Sequence, residues 1–352
     1  MDTKTNNVQW LDTLRALATL GVIIIHVSSP LVNMTFGKNM PYWWIGNVVD
    51  SAVRFAVPLF LMLSGATMLG KEYKTGEFYM KRISRVLVPF LFWMVIYWIF
   101  RWAMLLPKQQ PHEFQAILGW AADIFLKEGI SKHFWYIYMI LSIYLFLPFV
   151  GKAIRKLNDR MILFIILGWI ILNFVFRSFP INQYSWSGDY ANKLLGYFLH
   201  SGYLILGYYL SRIPVRSRKI RFSAAGFFIL SVAISAVFTY IFSKNAQRLN
   251  LSMYSYLLIN TTIQSIAIFM LTKDLNINNK FISWAQQTIS NYSYGIYLVH
   301  ILVLGIFFRN GIFWTMTHPL ISLPVLVVLT LITSFGIIFV LRKIPFGKYV
   351  AG

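Results

Sequence analysis

Apolar residues in this chain come in long runs separated by short polar segments. Each run has about 20 residues, which at about 1.5 Å per residue spans the roughly 30 Å hydrocarbon core of a membrane. The pattern predicts an all-α, polytopic membrane bundle with about ten transmembrane helices. The predicted spans are 10–32, 46–69, 86–106, 134–151, 161–178, 192–211, 222–243, 253–272, 288–308 and 320–341.

The composition agrees with a membrane protein, since 58% of the residues are hydrophobic and only 12% are charged. The first run is not a cleavable signal peptide, because it is too long, carries Asp12, Arg15 and His26, and precedes no small-residue cleavage site. The chain has no cysteine, which excludes disulfides, thiolate metal sites and a cysteine nucleophile. We expect one integral-membrane domain over residues 1–352, with no separate soluble domain.

A net charge of +21 would suit a nucleic-acid partner, but its distribution argues against one. The basic residues lie mostly in short segments between the runs, where they set orientation and contact anionic lipid headgroups. With the N-terminus inside, the inner segments hold 20 Lys and Arg residues and the outer segments hold 8. This bias predicts that both termini are cytoplasmic (N-in, C-in).

Three ionisable residues of the first span share one face. Ionisable side chains inside spans are costly, so each is a candidate functional residue. Arg15 and His26 differ by about 20° around a helix and about 16 Å along it, and Asp12 lies about 40° from His26 on the other side. The simpler interpretation is an ion pair of Asp12 with Arg15 near the headgroups and a packing histidine. The functional interpretation makes His26 a general base, since neutral imidazole accepts a proton near physiological pH.

The second span contains Asp50 and Arg54 at a spacing of four residues, followed by Ser64 and Gly65. A salt bridge and a small-residue helix contact explain these residues adequately. Alternatively, Arg54 lies at a depth similar to that of His26 and stabilises an oxyanion or holds an acidic acceptor.

The inner segment after this span carries Lys81, Arg82 and Arg85. Positive charge on the inner side is usual for topology alone. The functional interpretation is that these side chains bind phosphate groups from the cytoplasm.

Aromatic residues and a further histidine occupy two later spans. Tyr297 and His300 share a face at a spacing of three residues, with His300 at mid-depth. His133-Phe-Trp135-Tyr136 opens the fourth span from outside. An interfacial aromatic belt explains these rings, and a sugar platform is the alternative.

Together these residues resemble the acyltransferase 3 family of bacterial membrane O-acyltransferases, in particular its enterobacterial common antigen O-acetyltransferase type. The resemblance covers nearly the whole chain, and its most specific mark is the spacing from Arg15 to His26. The supporting motifs are Trp10-Leu-Asp12, Val57-Pro58-Leu-Phe60-Leu-Met-Leu-Ser64-Gly65, Arg82 with Arg85, His133-Phe-Trp135-Tyr136 and Ser293-Tyr-Gly-Ile-Tyr297-Leu-Val-His300.

The resemblance implies transfer of an acetyl group from cytoplasmic acetyl-CoA to a hydroxyl of a cell-surface or lipid-linked glycan, across the inner membrane of a bacterium. Acetyl-CoA is then a substrate, and we expect no permanently bound cofactor and no metal. The expected catalytic residues are His26, Arg15, Asp12, Arg54 and His300. The expected donor-binding residues are Arg15, Lys81, Arg82, Arg85 and Ser64, and the expected acceptor-binding residues are Trp135, Tyr136 and Tyr297.

Other functions fit the same residues. A glycan exporter or flippase would also use intramembrane charges, a different acyl group such as succinyl would need the same machinery, and a structural or receptor role would leave Arg15 and His26 tolerant of substitution. Some members of the family carry a C-terminal extracytoplasmic hydrolase-like domain. We expect this chain to act alone or with a separate partner.

The charge bias predicts the topology directly. Reporter fusions at Lys108, Asp189 and Gly311 should report an external location, and fusions at Lys156 and Arg218 an internal one, because Lys and Arg are retained on the cytoplasmic side. Reversal at any two of these sites would contradict the N-in, C-in arrangement.

Overall fold

The computed structural model describes residues 3–105, 130–178, 190–215 and 217–352. Every regular element in these ranges is helical, which confirms the all-α prediction. The helices are α1 (Thr3–Thr35), α2 (Met40–Ala52), α3 (Ala56–Met68), α4 (Thr75–Leu105), α5 (Trp135–Ile154), α6 (Asp159–Ser178), α7 (Tyr190–His200), α8 (Gly202–Arg212), α9 (Arg218–Asn245), α10 (Ile259–Thr272), α11 (Lys280–Arg309), α12 (Pro319–Lys343) and α13 (Gly347–Val350).

Eight helical stretches of the described chain are long and apolar enough to cross a membrane. They overlap eight of the ten predicted spans. The other two predicted spans fall on α6 and on the pair α7–α8, which is interrupted at Ser201. The protein is therefore a multi-pass helical membrane protein, and the number of ten spans stays a prediction.

Helix α1 forms the centre of the bundle, where it packs against α2, α3, α11 and α12. Its side chains Leu14, Ala18 and Leu31 are completely buried. A helix surrounded by other helices presents its polar residues to protein rather than to lipid. The ionisable residues of the first span therefore face neighbouring helices.

The segments that the charge pattern assigns to the cytoplasm meet one another at one end of the bundle, called the basic end below. The contacts are Gln9 Nε2 to the Ile277 carbonyl (3.0 Å), Arg155 Nη1 to the Leu69 carbonyl (3.2 Å), Arg212 to Asp159 (2.9 Å) and Arg221 Nη1 to the Leu271 carbonyl (2.6 Å). The opposite end is called the far end.

The second predicted span consists of two helices, because α2 ends at Ala52 and α3 begins at Ala56. The completely buried side chain of Gln264 accepts a hydrogen bond from the Phe55 amide (3.1 Å) and donates one to the Ser51 carbonyl (2.9 Å). Broken backbone is tolerated at membrane depth only where protein supplies the missing partners. Gln264 does so, and Arg54 lies in the break.

Helices α3 and α8 approach closely through two glycines. A Cβ atom on Gly65 would lie 1.8 Å from the Leu204 carbonyl oxygen, and one on Gly207 would lie 2.1 Å from the Met62 carbonyl oxygen. Small residues permit such backbone contact in membrane bundles. The small-residue packing interpretation of Gly65 is therefore confirmed.

This contact predicts that Gly65→Ala lowers the thermal unfolding temperature of the detergent-solubilised protein. The added methyl group would push α3 and α8 apart, and overpacking of this kind costs about 1–3 kcal/mol. Gly226→Ala on α9 is the matched control, because a Cβ atom there meets nothing within 4 Å. Equal unfolding temperatures for the two variants would contradict the close contact.

Candidate active site

A cavity of about 820 Å³ lies at the basic end, between α1, α3, α4, α5, α11 and α13. Five basic side chains line it and, among the described residues, no Asp or Glu side chain does, so its walls attract anions. The basic side chains are Arg15, Lys81, Arg82, Arg85 and Lys348. Most of the remaining lining is apolar or aromatic, which suits a ligand with a charged part and a long, less polar part.

The structure brings all five predicted donor-site residues together. Arg15, Lys81, Arg82, Arg85 and Ser64 all line the cavity, although they come from three different helices. Tyr136 and Tyr297, which the sequence assigns to the acceptor, line this same cavity.

Lys348 is a cavity residue that the sequence analysis used only for topology. It belongs to the short C-terminal helix α13, which two hydrogen bonds hold against the bundle. Trp93 Nε1 donates to the Val350 carbonyl (3.0 Å), and Arg342 Nη2 donates to the Gly352 carbonyl (2.5 Å). A lysine after the last span is expected for orientation alone. Its position in the sequence therefore does not predict that it lines the cavity.

Arg15 is held by a three-residue bridge. Its Nη1 lies 3.5 Å from Asp12 Oδ1, as the spacing predicts, and donates a hydrogen bond of 2.8 Å to Ser290 Oγ. Ser290 Oγ in turn donates to Asp12 Oδ1 at 2.6 Å. Asp12 therefore orients Arg15 partly through Ser290 on α11. Sequence reasoning missed Ser290, although it lies on the helical face of Tyr297 and His300.

Arg15 and His26 occupy one stripe of α1, as predicted, but they belong to different parts of the site. Arg15 lines the cavity, and His26 lies about 16 Å further along the helix. Thr19 and Val22 lie between them on the same stripe, at spacings of four and three residues. This stripe faces α11 in the bundle.

Three histidines cluster beyond the cavity. The ring centroid of His26 lies 5.2 Å from that of His300 and 6.5 Å from that of His133, and His133 and His300 are 5.3 Å apart. His133 and His300 are almost completely buried, and His26 is partly buried. In the described ranges, no group of His, Asp and Glu is arranged to hold a metal ion.

A hydrogen bond identifies which ring nitrogen of His300 carries a proton. His300 Nδ1 lies 2.6 Å from the Tyr297 carbonyl oxygen, which can only accept, so Nδ1 carries a proton, and in the neutral imidazole Nε2 then keeps its lone pair. The buried Nε2 atoms of His300 and His133 have no hydrogen-bond partner among the described residues. The cluster thus contains buried imidazole nitrogens available for proton transfer.

His133 was quoted in a sequence motif but was not selected as a site residue. Polar residues at the start of a span are expected near the headgroups. In the structure, the turn Lys132–Phe134 enters the bundle, and His133, Phe134 and the preceding Ile130 are all buried. Only this tertiary packing brings His133 to His26 and His300.

Buried polar and aromatic side chains surround the break between α2 and α3. Arg54 contacts Asp50, and both are buried. The guanidinium lies 4.1 Å from the centroid of the Tyr254 ring, a cation–π geometry, and is within electrostatic range of His26. Asp50 and Arg54 therefore pair as predicted.

Trp135 belongs to an aromatic group next to Arg54 rather than to the cavity wall. Its ring stacks on Tyr256 with centroids 5.8 Å apart and an interplanar angle of 18°, and His200 lies 5.7 Å away. Tyr256 in turn neighbours Arg54. The three residues predicted for the acceptor are thus divided between two regions.

The chain was compared with known proteins. The model of a family described as an acyltransferase domain matches residues 8–342. No curated protein and no solved structure matches the chain significantly. The matched range includes every helix that contributes to the histidine cluster.

Proposed function

Because the chain belongs to the acyltransferase 3 family and is therefore a membrane acyltransferase, we propose that it is an O-acetyltransferase. It moves an acetyl group from cytoplasmic acetyl-CoA to a hydroxyl of a cell-surface or lipid-linked glycan. The membrane is the inner membrane of a bacterium. The observation that carries this proposal is the cavity with five basic side chains and, among the described residues, no Asp or Glu, together with the three histidines clustered beyond it.

The donor binds in the basic cavity. Coenzyme A carries several phosphate charges, and arginine binds phosphate through strong, directional hydrogen bonds. Arg82, Arg85 and Lys81 hold these phosphates at the basic end, with Arg15 deeper along α1. The pantetheine arm then extends past Tyr136 and Tyr297 towards His300, and the thioester lies near the histidines.

His26 performs the proton chemistry. As a general base it takes the proton of the acceptor hydroxyl while the hydroxyl oxygen attacks the thioester carbon. The carbon–sulfur bond breaks, and coenzyme A leaves as a thiol after it takes up a proton. In the alternative route, His26 first accepts the acetyl group and then passes it to the hydroxyl. Both routes need an unprotonated imidazole nitrogen.

The acceptor approaches from the far side. The cation of Arg54 lies in electrostatic range of His26 and stabilises the oxyanion that forms at the thioester carbonyl. Trp135 and Tyr256 offer a flat aromatic surface for a sugar ring. His300 helps to position the reacting groups next to His26.

The shape of the site favours transfer of a small group over passage of a whole glycan. The cavity is wide at the basic end and is followed by a narrow pocket at His300. An exporter would need a continuous path for a sugar chain. Incubation of the purified protein with labelled acetyl-CoA and a glycan acceptor separates the two functions, because only the transferase yields an ester.

The first prediction from this proposal concerns donor affinity. Arg82→Ala combined with Arg85→Ala should raise the apparent KM for acetyl-CoA about 10- to 100-fold, since a hydrogen bond to a charged group contributes about 1.5–3 kcal/mol. High salt should mimic part of the effect. Lys348→Ala should raise this KM less than the double variant does, because only one exposed cation is lost.

The matched control is Lys74→Ala. Lys74 lies at the basic end and pairs with Glu77, but it does not line the cavity. An unchanged KM in a folded Arg82/Arg85 double variant, or an equal change in the Lys74 variant, would refute the donor site.

The second prediction concerns His26. His26→Ala and His26→Gln should both leave the protein folded and reduce acetyl transfer about 10²- to 10⁴-fold, the usual contribution of a general base. Glutamine keeps hydrogen bonding but cannot take a proton near neutral pH. If His26 served only for packing, the Gln variant would keep its activity, and the Ala variant would lose activity mainly because it is less stable.

Acetyl transfer and thermal stability should be measured together for both variants. His318→Gln is the control for histidine loss, because His318 is exposed at the start of α12. If His26→Gln retains more than about a tenth of wild-type activity, the assignment of His26 as base is wrong.

A further inference from the structure

The basic cavity does not reach the histidines through open space. A second, much smaller pocket lies beside His300, and its wall shares Phe60 and Tyr297 with the wall of the cavity. These two side chains therefore separate the donor cavity from the histidine cluster. The small pocket is called the neck below.

The neck is narrow and apolar. Helix α1 contributes Thr19, Val22 and Ile23, and α11 contributes Ile296; all four are buried. The lining leaves no room for a water molecule and, among the described residues, contains no Lys, Arg, Asp or Glu. Any group that enters the neck leaves water and meets hydrocarbon.

These features restrict what can pass the neck. The thioester must reach the histidines for transfer to occur, so its acyl group meets the side chains of Ile23 and Ile296. One extra methylene in a tight apolar site changes specificity about 10- to 200-fold. A carboxylate in the acyl group would have to cross this lining without a charged partner, which is unfavourable.

We propose that the neck selects the acyl group by size and polarity and keeps water away from the thioester. Ile23 and Ile296 are the residues that set the size limit. This inference rests on the proposed acetyl transfer and adds the reason for its acyl selectivity. When the neck is widened, water attacks the thioester carbon, the carbon–sulfur bond breaks, and acetic acid and the free thiol of coenzyme A form without an acceptor.

The test uses the full chain in detergent or liposomes with acetyl-, propionyl-, butyryl- and succinyl-CoA. Ile23→Ala and Ile296→Ala should each raise the ratio of butyryl to acetyl transfer about 10-fold or more. Both should also release free coenzyme A faster than wild type when no acceptor is present. Succinyl-CoA should stay a poor donor in every variant, because widening adds no charge to the lining.

Ile162→Ala is the matched control, since Ile162 is equally buried but lies on α6, outside the neck. If an alanine variant fails to fold, Ile23→Val and Ile296→Val remove one methylene-sized group and should admit propionyl. The proposal would be overturned if folded Ile23 and Ile296 variants kept the wild-type ratio of butyryl to acetyl transfer. It would also be overturned if Ile162→Ala changed this ratio and the release of free coenzyme A to the same extent. A wild-type protein that transfers no acyl group from any donor would instead overturn the proposed function itself.

Discussion

The structure depends on one constraint, which is that polar groups inside a membrane bundle must find their partners within the protein. The break between α2 and α3 shows how strictly this holds. It exposes backbone groups at membrane depth, and the amide of Gln264 satisfies one on each side of the break. Arg54 can occupy the break only because Asp50 lies beside it. Without such internal partners, the second span would have to be a continuous helix with no place for a cation.

The same constraint orders the site along the membrane normal. Arg15 is stabilised by Asp12 and by Ser290 from the facing helix, which ties α1 to α11 at the level of the cavity. Further along these helices, His26 and His300 meet. Because both helices are regular here, residues at spacings of three and four form two facing stripes. The order of Arg15, the neck residues of α1 and α11, and the pair of His26 and His300 along the membrane normal therefore follows from helix periodicity.

Helix periodicity also explains how much of the site could be predicted from the sequence. It correctly gives the shared face of Arg15 and His26 and the pairing of Asp50 with Arg54, since both depend on one helix. The basic residues of α4 were found because they lie on the inner side of a predicted span, although the structure places them on the helix itself and not in a loop before it. His133, Gln264 and Lys348 escaped prediction because their roles arise from contacts between segments far apart in the chain. The predicted span over residues 192–211, which falls on α7 and α8, shows a related limit. Hydropathy detects an apolar run, but it does not detect an interruption such as that at Ser201.

The neck has an electrical consequence. When water fills the basic cavity, it conducts, and the cavity floor then has nearly the potential of the compartment on that side. A large part of the transmembrane voltage then falls across the short apolar ring of Thr19, Val22, Ile23 and Ile296 and the histidines behind it. An elementary charge that crosses the full voltage changes energy by about 2.3 kcal/mol per 100 mV. In the proposed mechanism, a proton that moves between His26 and the cavity would cross much of this field, so the membrane voltage would bias the direction in which the proton leaves the site.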